Sequence, residues 1–419
     1  MSLLLNSLVV SDSRSKYHNS SVNILISSDG KIKKISKKKI NVKAKKTIDL
    51  NSCKLSAGWV DFSSNFCDPG YEYKEDLISG VSVASSSGFT EVVINHNTHP
   101  VIQNKNDISY IKNKSLNSLC SVYPTASITK NSMGVEMNDL IDLHHSGAIA
   151  FCDSNLQNSE LILNVLIYLK QFNGLYISKP KEPYLSNGVV NDGLNSNTLG
   201  LKSIPNISES IIIERDISLL KYSGGRIHFS GISTKEAVDV IRKAKKSGLD
   251  VTCDVPIYNL LLDDEKILDF NTNFKVYPPL RSQSDIDELI RGLEDGTIDV
   301  ISSHHQPQDI DSKNCEFEKA SFGIISLQTF YSNLVEISRK IPFEILAEKI
   351  TTNPRKILGI KNPEIKEGSI ACFTVFDEMG SWDYNDSTNQ SKSKNSPWMD
   401  WSLRGKVRGV VNGNKTNII

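Results

Sequence analysis

The side chains of this sequence that could do chemistry are few and thinly spread. His304 and His305 are adjacent, and with Asp153 they could hold a metal ion. Successive strand residues point to opposite faces, so only one of the two could face such a site, and a hydrogen-bonded loop pair is the simpler reading. His96 and His99 flank Asn97 in a turn, where histidines are ordinarily solvated. Cys67 and Cys152 each close a strand-like run, so a thiol nucleophile is conceivable, with His304 as base for Cys152 if the two meet in space. Gly409 to Thr416 is faintly like a phosphate loop, but its spacing is wrong and a β-turn fits better. No G-x-G-x-x-G and no G-x-S-x-G occurs.

Position matters more than these residue types, and position comes from the elements. Strand-like runs include 91–95, 148–151, 174–178, 225–230, 250–255 and 298–302, and helix-like runs include 233–247 and 284–293. In the first of those helices Ala237, Val238, Val240, Ile241 and Ala244 recur at helical spacing, with Thr234 near its start and Gly248 after its end. Repeated β-then-α units predict a (β/α)8 TIM-like barrel over 54–360, whose chemistry belongs at the C-terminal ends of the strands. Residues 1–53 and 361–419 hold short apolar runs between turns, at 7–10, 21–26, 368–377 and 405–414. They predict a small β-sandwich built from both chain ends, with the basic stretch 31–40 as a solvated edge. Leu3 to Leu5 stays outside that strand pattern. The polar tract 381–396 reads as a surface loop, after which Pro397 to Trp401 can dock.

Composition excludes several classes. Lys+Arg and Asp+Glu are both 48, so no net charge draws the chain to nucleic acid. No apolar run reaches the roughly 18 residues that span a membrane. Seven scattered cysteines with no C-x-x-C pair predict reduced thiols in a cytoplasmic protein.

Ser56 to Gly70 resembles the dihydroorotase signature P-G-x-x-D-x-H-x-H-x-R-D/E-P-G, and the likeness runs on through most of the chain. The family's G-G-F-T-x-V-V-x-M-P-N-T-x-P is matched from Ser87 to Pro100, keeping as Asn97 the asparagine that touches substrate. Its A-F-S-D-D-G is matched by 150–155, its G-V-V-N-E/D-G by Gly188 to Gly193, and its I-P-x-x-S-E turn by Ile204 to Glu209. T-N-F-K-x-N-P-P-L-R is matched by Thr272 to Arg281, with Tyr277 for the asparagine. The F-x-x-A-P-F-G loop is matched by Phe317 to Gly323, and T-x-N-P-A-x-x-L-G by Thr351 to Gly359.

The resemblance implies an amidohydrolase barrel that activates a water on zinc, with an aspartate shuttling the proton. It also shows where this chain departs. The two histidines of H-x-H fall on Ser63 and Asn65, and the substrate-binding arginine falls on Cys67. The bridging carboxylate is kept as Asp153, while two further histidine ligands fall on Lys179 and Gly231. His304 stands at the catalytic aspartate, and Gln308 at a substrate-contacting histidine. These departures predict no catalytic residues, no bound zinc and no other cofactor, with Asn97 as the one substrate contact retained. The expectation is a pyrimidine-synthesis protein of structural or regulatory role, homo-oligomeric and with aspartate transcarbamoylase as its candidate partner, as for inactive homologues of the family. The alternative is an active dihydroorotase or other cyclic-amide hydrolase using unusual ligands.

Overall fold

Strands that are apolar on both faces have no solvated side, and closing them into a parallel barrel under a coat of helices buries both. The computed structural model, which describes residues 2–154 and 156–418, is built this way. Its barrel strands are β1 (Trp59–Ser64), β2 (Phe89–Ile94), β3 (Ser121–Ser127), β4 (Ala150–Cys152), β5 (Tyr176–Ser178), β6 (Ile227–Phe229), β7 (Val251–Pro256) and β8 (Val300–Ser302), paired side by side in that order. Closure comes just past β8, where Ser64 bridges His305 in parallel and the Asn65 N–H donates to the His305 carbonyl at 2.8 Å. The expected (β/α)8 barrel is therefore present. Asn155, the last position of the 150–155 match, lies outside the described residues.

Local chemistry sets the helices. The helix Lys235–Lys246 starts where the Thr234 hydroxyl accepts the Ala237 N–H at 3.2 Å, and Gly248 follows it at φ +81°. Its Ala237, Val238, Ile241 and Ala244 are buried against the barrel wall. At the base of the barrel Trp59 is fully buried, its ring centroid 5.2 Å from Tyr331 and 5.5 Å from Phe376. Gly88, at φ +101°, lies under that indole, and a Cβ there would come within 2.6 Å of it.

Both chain ends meet in one mixed sheet. Leu3–Val10 pairs antiparallel with Ser21–Ile26 on one side, and on the other runs parallel first to Lys46–Asp49 and then to Lys54–Ala57. Cys372–Tyr384 adds antiparallel to Lys54–Ala57, and Trp401–Asn412 adds to it in turn. Ile32–Ser36 forms the far edge, where its lysines stay solvated. Leu3 to Leu5 does belong to the first strand, contrary to expectation. Ser7, at φ +61°, makes a bulge that moves the buried set from Leu3 and Leu5 to Leu8 and Val10, so strict alternation breaks in the sequence.

The tract 381–396 also differs from its reading as a surface loop. Ser381 to Tyr384 extend the strand Cys372–Tyr384, and the rest crosses the barrel mouth as a strap with Ser393, Asn395 and Ser396 buried. Asn395 accepts the Gln308 N–H and donates to the Gln306 carbonyl, both at 3.0 Å. Ser393 donates to the Lys74 carbonyl at 2.7 Å, and Ser391 to Glu75 Oε2 at 2.5 Å. The tract is polar because its partners are the backbone and carboxylate groups of the loops after β1 and β8, which no apolar side chain could satisfy.

Candidate functional site

The C-terminal ends of the barrel strands enclose a cavity of about 300 Å³. Ser63 is the last residue but one of β1 and Asn65 follows that strand, Asn95 and Asn97 follow β2, Lys179 follows β5, Gly231 follows β6 and His304 follows β8, and all of them line this space. Seven of the positions singled out in the sequence are thus brought together: Ser63, Asn65, Asn97, Lys179, Gly231, His304 and His305. Asp153, Cys67, Cys152, His96, His99 and Gln308 do not line the cavity.

Asp153 is buried and its oxygens are taken by neighbours. Oδ1 accepts the hydroxyls of Ser127 and Ser132, each at 2.7 Å, and Oδ2 accepts the Thr129 hydroxyl. Burial raises its pKa and outweighs the three hydroxyls that oppose the rise. Beside it Asn95 forms a short relay, its amide donating to Ser63 Oγ at 3.2 Å and its carbonyl accepting from Lys179 Nζ at 3.3 Å. His96 is not solvated as expected. It is fully buried, with Nε2 3.1 Å from Ser132 Oγ, and burial, helped by the Lys179 charge, pushes it down to about 3, so it stays a neutral ring. His99 does stay exposed.

Sequence reasoning missed the group that organises the opposite wall. Asp254, near the end of β7, is fully buried. Its Oδ1 accepts from His304 Nε2 at 2.6 Å, Ser302 Oγ at 2.7 Å and the Gly231 N–H at 3.2 Å, and its Oδ2 from His228 Nε2 at 3.0 Å. Burial alone would raise this carboxyl, but His304 and His228 outweigh it and hold the pKa well below the ordinary range. The available signal was a lone aspartate within the apolar run Val251 to Val255, at the strand end where a barrel keeps its functional groups. The histidine pair also departs from the alternation argument. β8 ends at Ser302, so His304, at φ +46°, is a loop residue, and both rings border the cavity. His305 Nδ1 accepts the Ser326 N–H at 3.2 Å, and its Nε2 lies 3.9 Å from Glu75 Oε2.

The thiols are poor nucleophiles where they sit. Burial pushes Cys67 up to about 12 and Cys152 up to about 11. Cys152 and His304 take different partners, the thiol facing the Asp153 carbonyl at 3.9 Å. Alkylation with iodoacetamide at pH 8 is therefore expected to modify exposed Cys315 rapidly and to spare Cys67 and Cys152 in the folded protein. Peptide mass mapping with comparable early labelling at all three would contradict the assigned burial.

The intact motifs converge elsewhere, on one buried network beside the mouth. Arg281 donates from Nη1 to Asn191 Oδ1 at 2.9 Å and to the Ile204 carbonyl at 2.7 Å, and from Nε to Ser233 Oγ at 3.1 Å. Ser233 Oγ donates in turn to Glu209 Oε2 at 2.6 Å, and Glu209 Oε1 accepts the Ser233 and Thr234 N–H groups. Three of the sequence motifs, Gly188 to Gly193, Ile204 to Glu209 and Thr272 to Arg281, thus meet in one set of bonds together with Ser233 and Thr234.

Comparison with known proteins agrees with this architecture. A dihydro-orotase-like family model matches residues 54–237, and an amidohydrolase family model matches 204–415. The chain is 37% identical to a dihydroorotase of Trichlorobacter lovleyi over 92% of each chain. It is 36% identical to that of Geobacter metallireducens over 92% of this chain and 93% of the relative. Among solved structures it is similar to the L-hydantoinase (dihydropyrimidinase) of Arthrobacter aurescens, with a TM-score of 0.87 and 19% identity over 100% of this chain and 97% of the other. That second likeness is one of fold.

These findings correct the expectation that no cofactor belongs to the chain. The relatives it matches end to end are dihydroorotases, amidohydrolases of the kind that work on zinc, so a metal is the cofactor this kinship assigns. The donors at the corresponding positions do not fit that metal as the family holds it. Ser63, Asn65 and Gly231 offer no imidazole, Lys179 brings a cation, and Asp153 is engaged by three hydroxyls. Among the described residues no three His, Cys, Asp or Glu side chains form a metal-binding group.

Proposed function

Because the chain belongs to the dihydroorotase family of amidohydrolases, we propose that it serves pyrimidine synthesis as a dihydroorotase-type protein whose barrel keeps the substrate-sized pocket without the ring-closing chemistry. One observation carries this reading: a histidine, not a carboxylate, occupies the position of the family's proton-shuttling aspartate. His304 stands at that position, and its Nε2 is bound to Asp254 at 2.6 Å. The protein's role is then structural or regulatory, and the first partner to test is the catalytic chain of aspartate transcarbamoylase, on family precedent. Co-elution of the two at micromolar concentration supports that pairing, and separate elution counts against it.

A second reading is a working dihydroorotase or other cyclic-amide hydrolase. The end-to-end likeness to relatives named dihydroorotase favours it over the first, whereas the side chains favour the first. Assay of N-carbamoyl-L-aspartate cyclisation and dihydroorotate hydrolysis, with zinc supplied, separates them. The expected result is no turnover above background, since loss of the proton shuttle alone removes roughly 10²–10⁴-fold in rate. Turnover that disappears in Asp153→Ala would establish the second reading.

A further inference from the structure

We propose that the mouth cavity is a binding site for a small dianion, a phosphate or a short dicarboxylate, seated on the Lys179 ammonium where family members hold a cation. The inference rests on the pocket being retained without the family's chemistry. The charge of the wall is one-sided. Among the described residues no Asp or Glu lines the cavity, while Lys179, Lys181 and His304 do. Three carboxylates behind that wall are spent on donors of their own, Asp153 on three hydroxyls, Asp254 on two imidazoles, a hydroxyl and a backbone N–H, and Glu75, 3.9 Å from His305, on the Ser79 and Ser391 hydroxyls.

Lys179 has capacity to spare. An ammonium carries three donors, and the side-chain bond recorded for this one goes to the neutral amide of Asn95 at 3.3 Å. Lys179 is half-buried, and a cation partly removed from water with no counter-charge is unfavourable until an anion joins it. Lys181 stands at the rim with its Nζ 4.7 Å from the centre of the Tyr277 ring, so a second positive charge overlooks the same space. The amides of Asn65 and Asn97 add neutral donors for the remaining oxygens. The arginine that grips a carboxylate in the family has no counterpart here, because Cys67 stands in its place and does not line the cavity. An anion must therefore be held differently, and the free donors point to Lys179. A volume of about 300 Å³ suits a ligand of a few heavy atoms.

Titration calorimetry on the full chain tests this with three probes at constant ionic strength: inorganic phosphate, succinate and the uncharged succinamide. None is carbamoyl aspartate or dihydroorotate, so turnover in the activity assay and failure of binding here are separate results. Saturable binding of phosphate or succinate is expected, with no binding of succinamide, and the tighter of the two anions identifies the ligand class. Lys179→Gln is expected to weaken that binding about tenfold or more, since a charge-assisted bond is lost, and Lys179→Arg to restore much of it. Thermal unfolding of each variant in buffer alone separates loss of the site from loss of the fold. The proposal fails if neither anion saturates, if succinamide binds equally well, or if a folded Lys179→Gln protein binds as the parent does.

Discussion

Arg281→Met is expected to destabilise the protein by about 3–5 kcal/mol, the range for removing one partner from a buried ionic network. Arg281 is almost fully buried and is the common donor to Asn191, the Ile204 carbonyl and Ser233. Methionine matches much of its length but donates nothing, leaving Asn191 Oδ1 buried without a partner and the Ile204 carbonyl with only the Asp192 N–H at 3.3 Å. Ser233 would keep its bond to Glu209, yet the positive charge that offsets the burial of that carboxylate would be gone. Arg281→Lys should recover only part of the loss, because one ammonium cannot reproduce the forked guanidinium. Urea unfolding followed by circular dichroism measures the effect, and a midpoint within error of the parent would show that the network does not carry stability.

Asp254→Ala is the second large effect, also about 3–5 kcal/mol at neutral pH. Its four donors include His228, which has no exposed surface and stacks its ring 4.3 Å from that of Phe62, so the freed imidazole cannot turn to water. The dependence on pH has a definite sign. A carboxyl held below its unfolded value contributes stability that is fully present above about pH 4 and is lost as pH falls toward the folded pKa. The gap between parent and variant should therefore be widest near neutrality and narrow below pH 4. A gap that instead grew on acidification would mean that Asp254 is not the ionised centre of this cluster.

The barrel was legible in the sequence because its strands and helices carry their own periodicity, as the capped helix Lys235–Lys246 shows. The residues around the cavity were legible through family motifs, which align Ser63, Asn65, Lys179, Gly231 and His304 at the ends of β1, β5, β6 and β8. What escaped has physical causes. The bulge at Ser7 shifts the buried face by one residue, so an alternation test discards a true strand. The strap 385–396 is polar since it serves backbone groups far away in sequence, and composition cannot tell such a segment from a solvated loop. Asp254 was passed over because its partners arrive from β6, β8 and the loops that follow them, contacts that exist only once the barrel closes.

The close approach of Gly231 to His304 couples the two positions. A Cβ on residue 231 would lie 2.9 Å from His304 Cε1, and its φ of +76° suits glycine. The two departures from the family pattern therefore meet in space, since the imidazole of His304 reaches Asp254 beside the room that a side chain at 231 would take. Histidine placed at 231 alone would strain the backbone and press on a ring held by a buried carboxylate. Any rebuilding of this corner of the pocket must therefore change both positions together.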